Sequence, residues 1–135
     1  MDWEPLIAAA LEARQRAHAP YSRFRVGAAV LTEDGRVFSG ANVENRTFGL
    51  TICAERTAMV RAVVEGGGRP VAVAVVTDTS PPAQPCGMCR ETLAEFAEDL
   101  PILSVNLQDV RREVRLKDLF PEPFVFPPRP DPTAT

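Results

Sequence analysis

The residues of this chain best suited to chemistry are Cys53, Glu55, Cys86 and Cys89, and the three cysteines are all that its 135 residues contain. Thiolate is a good zinc ligand, and three protein ligands with a fourth position left to water is the inventory of a catalytic zinc site; a structural site takes four. A carboxylate beside such an ion, Glu55, is the group that can take up a proton and give it back. Cys86 and Cys89 stand three apart, so on the first turn of a helix both sulfurs point the same way, and the positive end of the helix dipole eases their ionisation. Cys53 at the start of a second helix gains the same help. Cys53 and Glu55, two apart, diverge on an ideal helix, so both can face one pocket only if Cys53 is the cap.

Three thiolates on Zn²⁺ leave a formal charge of −1, which weakens the ion as a Lewis acid. Arg56 and Arg90 each follow a key residue and can donate hydrogen bonds to ligand sulfur, the kind of support metal sites rely on. Bland readings stand beside these. Scattered cysteines are usually core residues, a lone glutamate is usually a solvated helix residue, and Cys86 and Cys89 are equally spaced for a reversible disulfide. His18, the only histidine, can be read as a fourth ligand but fits a surface or capping position better. Gly66-Gly67-Gly68 lacks the Lys-Ser/Thr of a phosphate-binding loop and reads as a helix stop.

The elements that must position these residues alternate along the chain. Asp2 can cap a first helix whose apolar stripe is Trp3, Leu6, Ile7, Ala10, Leu11 and Ala17, ending before Pro20. Strands 24–32 and 37–42 are joined by Glu33-Asp34-Gly35-Arg36, a tight antiparallel turn. A second helix begins near Cys53 with Ala58, Met59, Ala62 and Val63 on its buried side. The unbroken apolar run 71–76 suits a central strand covered on both faces. A third helix opens at Cys86 and carries Leu93, Phe96 and Ala97, followed by strand 102–107, a short strand around Val114 and a one-turn helix at 116–120. This predicts an α/β fold of three layers, a mixed five-stranded sheet with helices on both faces. Residues 1–126 form one catalytic domain, and 127–135 a loose proline-rich tail.

Composition narrows the function. A net charge of −3 and a pI near 5.2 leave no basic stripe for a nucleic-acid backbone. The N-terminus has no basic leader, and no apolar run approaches the ~20 residues of a membrane span. An odd cysteine count suits a reducing compartment, so a cytoplasmic protein is expected.

Cys53-Ala54-Glu55-Arg56-Thr57-Ala58 with Pro85-Cys86-Gly87-Met88-Cys89-Arg90 resembles the zinc-dependent cytidine deaminases, specifically the small homotetrameric branch that acts on free nucleosides. The likeness runs from Ala19-Pro20-Tyr21-Ser22-Arg23-Phe24 through Gly40-Ala41-Asn42-Val43-Glu44-Asn45 to Leu119-Phe120-Pro121. It implies one zinc per chain on Cys53, Cys86 and Cys89. It implies hydrolytic deamination of cytidine and 2′-deoxycytidine with loss of ammonia, as in pyrimidine salvage, with Glu55 carrying the protons. By the same resemblance Asn42 and Glu44 bind the ribose, Phe24 packs on the pyrimidine, and Ala54 offers its backbone to the base. Phe124 closes a neighbouring subunit's site in a homotetramer. Without the resemblance, Asn42 and Glu44 read as a polar strand end, Phe24 as strand core and Phe124 as a tail anchor. Arg46-Thr47-Phe48 and Glu91 depart from the family's usual residues, which puts in question the inter-subunit contacts that the resemblance implies around these positions.

Three rivals remain open at this point. A blasticidin-type aminonucleoside deaminase shares the zinc motifs, but Glu44 favours cytidine. A non-enzymatic thiol redox module needs only Cys86 and Cys89. A single-strand editing deaminase is opposed by the acidic balance.

Overall fold

The hairpin read at residues 33–36 forms as its sequence demands. Strand β1 (Val26–Thr32) pairs antiparallel with β2 (Val37–Ala41), and Gly35 takes a left-handed φ of 85°, a conformation that costs glycine nothing. The computed structural model describes residues 1–128, so most of the proline-rich tail expected from 127 onward lies outside the described residues.

Helix α1 (Glu4–Arg14) precedes the hairpin, and α2 (Ala54–Val64), β3 (Pro70–Thr77), α3 (Gly87–Phe96), β4 (Pro101–Asn106), β5 (Arg111–Arg115) and the short α4 (Leu116–Leu119) follow. The strands make one mixed sheet in the order β2-β1-β3-β4-β5. Only β3 and β4 are parallel, joined through α3; all other neighbours are antiparallel. The apolar run of β3 is explained by its place: Val73 and Val75 pack with Ala58, Met59, Ala62 and Leu93 on one face, while Ala72, Ala74 and Val76 pack under Leu6, Ile7 and Ala10 on the other. The fold is therefore the expected three-layer α/β arrangement with helices on both faces of a five-stranded sheet.

Close backbone approach fixes where α2 sits. A Cβ on Gly40 would lie 2.4 Å from the Ala58 nitrogen, so only glycine lets β2 take the helix this near. Gly27 plays the same part under α1, where a Cβ would lie 1.9 Å from the Ala10 carbonyl oxygen.

Several local expectations are corrected. Helix α1 stops at Arg14, and Leu11 is exposed while Ala17 lies beyond the helix; Ala13, a turn beyond Ala10, completes the buried stripe instead. Trp3, not Asp2, occupies the cap, although Asp2 Oδ1 accepts a hydrogen bond from the Glu4 N–H at 3.0 Å. On α2, Val63 faces outward, one position round from the buried Ala62. Strand β1 begins at Val26 rather than Phe24, because Arg23 turns the chain with φ 60°. Phe24 is thereby freed from the sheet.

Candidate active site

Cys53 and Cys86 occupy equivalent places on two helices of one face. Each is the N-cap, in extended geometry (φ −71°, ψ 155° and φ −70°, ψ 172°), immediately before α2 and α3. A cap lies outside regular helical geometry, which lets Cys53 aim at the same point as Cys89, on the first turn of α3, while Glu55 still faces the pocket. Cys53 Sγ is 3.6 Å from Cys86 Sγ, and Cys86 Sγ is 3.5 Å from Cys89 Sγ. All three are free thiols, within 4.8 Å of one another.

That spacing fits zinc. Ligands at the ~2.3 Å of a Zn–S bond in a tetrahedron stand about 3.8 Å apart, close to the distances found. With three soft donors and no fourth protein ligand grouped with them among the described residues, a bound tetrahedral ion would keep one position for solvent or substrate. His18 is no ligand: its main chain bridges to Val43, and its side chain is exposed.

The electrostatics suit a cation ligand set. Cys53 is drawn down to about 5, first by its bond with the Cys89 thiol and then, against desolvation, by Arg56. Cys89 is pushed strongly up, first by that same bond to Cys53, then by burial and by the charge of Glu55. The trio resists ionising together unless a cation joins it.

Glu55, 5% exposed, is raised to about 7. Burial is the main cause; its own N–H opposes the shift and the Cys53 charge adds to it. A carboxyl that titrates near neutrality is suited to moving protons.

Arg56 bridges the Thr51 carbonyl at 2.9 Å and Cys53 Sγ at 3.9 Å. Arg90 differs from expectation. It donates to the Pro85 carbonyl at 2.8 Å and the Leu119 carbonyl at 2.9 Å, not to sulfur, because its side chain runs back along α3 toward α4. It orients the segment that carries Cys86.

A cavity of about 220 Å³ opens onto these residues. Cys53, Ala54, Glu55 and Cys86 form one end, and Ser22, Phe24, Asn42 and Glu44 also line it. Asn42 is largely committed to the backbone: Oδ1 accepts from Val26 N at 2.9 Å and Nδ2 donates to Phe24 O at 2.6 Å, leaving one N–H and one lone pair for a ligand. Glu44 Oε1 accepts from the Tyr21 and Ser22 N–H groups at 2.9 and 3.2 Å, and Oε2 from the Ser22 hydroxyl. The Ser22 hydroxyl, outweighing desolvation, holds the carboxyl below its ordinary range. Ser22 was not singled out from sequence; only the Tyr21-Ser22 pair near Phe24 could have suggested it.

Phe124 is 72% exposed and stacks edge-on against Phe126 at 5.6 Å. It is not part of this chain's cavity wall. Phe48, likewise exposed, meets Tyr21 edge-on at 5.6 Å, and Arg46 and Glu91 are exposed.

Residues 2–103 match the family model described as "Cytidine and deoxycytidylate deaminase zinc-binding region". A cytidine deaminase of Halalkalibacterium halodurans is 49% identical over 125 residues, covering 92% of this chain and 95% of that protein. The crystal structure of cytidine deaminase from Burkholderia pseudomallei superposes with a TM-score of 0.87 at 45% identity, over 92% of this chain and all of the other. That from Mycobacterium tuberculosis superposes with 0.80 at 42% identity, over 93% and 99%.

Proposed function

The chain belongs to the cytidine and deoxycytidylate deaminase zinc-binding family, and from that membership we propose that it is a zinc-dependent cytidine deaminase, hydrolysing cytidine and 2′-deoxycytidine to uridine and 2′-deoxyuridine with release of ammonia. The observation that carries the reading is the convergence of the Cys53, Cys86 and Cys89 sulfurs, all within 4.8 Å of one another, beside the buried Glu55. Cys53, Cys86 and Cys89 would hold one zinc ion, which would supply the Lewis acidity that makes water nucleophilic near neutral pH.

The residues of the chain do the rest. Glu55 takes a proton from the attacking water and passes it to the ring nitrogen beside C4, then takes the proton of the new C4 hydroxyl and delivers it to the amino group as the C4–N bond breaks and the C4 carbonyl forms. One water is consumed and one ammonia released, so the carboxylate ends as it began. The N–H of Ala54 meets the base. Phe24 offers a flat apolar wall to the pyrimidine. Glu44 accepts from the sugar hydroxyls, and the remaining N–H of Asn42 assists it. Arg56 tempers the negative charge of the sulfurs, and Arg90 holds the segment that carries Cys86.

No helix among the described residues is long and apolar enough to cross a membrane. The free thiols favour a reducing, cytoplasmic setting. By the family resemblance the chain acts as a homotetramer in which Phe124, 72% exposed, reaches a neighbour's site. Residues 1–126 act as one catalytic domain.

The test is to follow the ultraviolet absorbance of cytidine, with the antibiotic blasticidin and a cytosine-containing oligonucleotide in parallel. Loss of cytidine absorbance with ammonia release is expected, and chelator should stop it. Turnover of either alternative substrate but not of cytidine would overturn the reading, as would a metal-free protein cycling between dithiol and disulfide.

A further inference from the structure

The mechanism above gives Glu44 the sugar but gives no task to the side chain that grips it. Ser22 lines the same cavity as Phe24, Asn42 and Glu44, and its hydroxyl stands between two of them. Oγ accepts a hydrogen bond from the Phe24 N–H at 3.0 Å and donates to Glu44 Oε2. The first bond orients the second: a hydroxyl has a single proton, and an N–H arriving on the oxygen's lone pair turns that proton toward the carboxylate.

Little of Glu44 is left free. Its Oε1 accepts from the Tyr21 and Ser22 N–H groups at 2.9 and 3.2 Å, and its own N–H donates to the His18 carbonyl at 2.8 Å. A carboxylate offers about four acceptor sites. With two taken on Oε1 and one on Oε2, the site that remains for substrate is on Oε2, and its direction depends on the bond Ser22 makes to the same oxygen.

The segment that carries Ser22 is closed on itself. The Arg23 N–H donates to the Ala19 carbonyl at 2.9 Å, and Arg23 takes a left-handed φ of 60°, a conformation that a residue with a Cβ seldom adopts. The chain thereby doubles back and presents Tyr21 N, Ser22 N and Ser22 Oγ to one carboxyl group.

We propose that Ser22 is a positioning residue for the deamination reaction: its hydroxyl, oriented by the Phe24 N–H, aims the remaining acceptor site of Glu44 into the cavity at the sugar. The proposal rests on the deaminase reading. Ser22 acts here through Glu44 and stands apart from the metal ligands and Glu55, so its loss is felt in binding rather than in the chemical step.

Ser22→Ala and Ser22→Thr test it on the full-length, zinc-loaded enzyme, threonine keeping the hydroxyl at a position exposed enough to take one more methyl group. In Ser22→Ala, KM for cytidine should rise about tenfold while kcat changes by less than about threefold, with zinc still at one per chain. Ser22→Thr should bring KM back to within about threefold of the parent value. Combined with Glu44→Gln, Ser22→Ala should raise KM by less than about twofold over Glu44→Gln alone, because residues that act as a unit do not lose their effects independently. A parent-like KM in Ser22→Ala, kcat falling as far as KM rises, threonine no better than alanine, or losses that multiply in the double variant would overturn the assignment of Ser22 and leave the deaminase reading standing. A wild-type enzyme that does not turn over cytidine would overturn both.

Discussion

The Sγ atoms of Cys53 and Cys86 lie 3.6 Å apart although the residues cap two different helices. Each helix start contributes a positive dipole end, and the pair, with Cys89, forms a pocket for one soft cation. This relationship depends on α2 lying close on the sheet, and it makes the site sensitive to changes at some distance from it.

Removing a ligand should therefore empty the site. Cys89→Ala is expected to cut zinc from one per chain to near zero, an affinity loss larger than the ~10–100-fold typical of residues that only orient a ligand. Metal content after dialysis checks it; retention of full zinc would show that Cys89 is merely a buried core thiol.

Glu55→Gln should keep fold and zinc while turnover falls by about 10²–10⁴-fold, the usual share of a general acid and base. The variant carries no charge into the buried position, so Tm should hold. Steady-state rates with parallel metal analysis decide; near-normal kcat would remove Glu55 from the proton path.

Glu44 yields a pH expectation. Its carboxyl is held below the ordinary value of 4.5 by the Ser22 hydroxyl, so the folded state favours the ionised form. What this contributes to stability is fully present above pH 4.5 and is lost as pH falls through the lower, folded value. Glu44→Gln should flatten that acid limb in thermal melts. At neutral pH it should raise KM for cytidine more than it lowers kcat. A variant with wild-type KM would take Glu44 out of sugar binding.

Gly40→Ala would set a Cβ 2.4 Å from the Ala58 nitrogen. Pushing α2 off β2 should cost about 1–3 kcal/mol of stability, and kcat/KM should fall with it, because the same helix carries Cys53 and Glu55 to the cavity. Urea unfolding with parallel kinetics tests this. A variant as stable and active as the parent would show that α2 is not positioned by this contact.

Most of the fold could be read from the chain because its signals are local. The Asp34-Gly35 turn, the apolar run of β3 and the Gly66 stop, where φ is 72°, each follow from one stretch of sequence. The metal centre was legible for a related reason. The condition that Cys53 be a cap, needed for Cys53 and Glu55 to face one pocket, is the geometry found. What escaped depends on contacts between distant segments. That Arg90 reaches the Leu119 carbonyl, that Ser22 clamps Glu44 and that the Gln84 amide is left unpaired are settled by how loops meet, which spacing does not encode. Phe24 escaped as a strand residue because the left-handed Arg23, not any apolar pattern, takes it out of the sheet. The role of Phe124 lies beyond one chain's own contacts altogether.

The central claim is that three sulfurs hold one zinc ion and leave one position for water or substrate. X-ray absorption at the zinc edge on the purified protein measures this directly. The account predicts three sulfur neighbours at about 2.3 Å and a single oxygen or nitrogen neighbour at about 2.0 Å; four sulfur neighbours, or zinc surrounded only by oxygen and nitrogen, would contradict it.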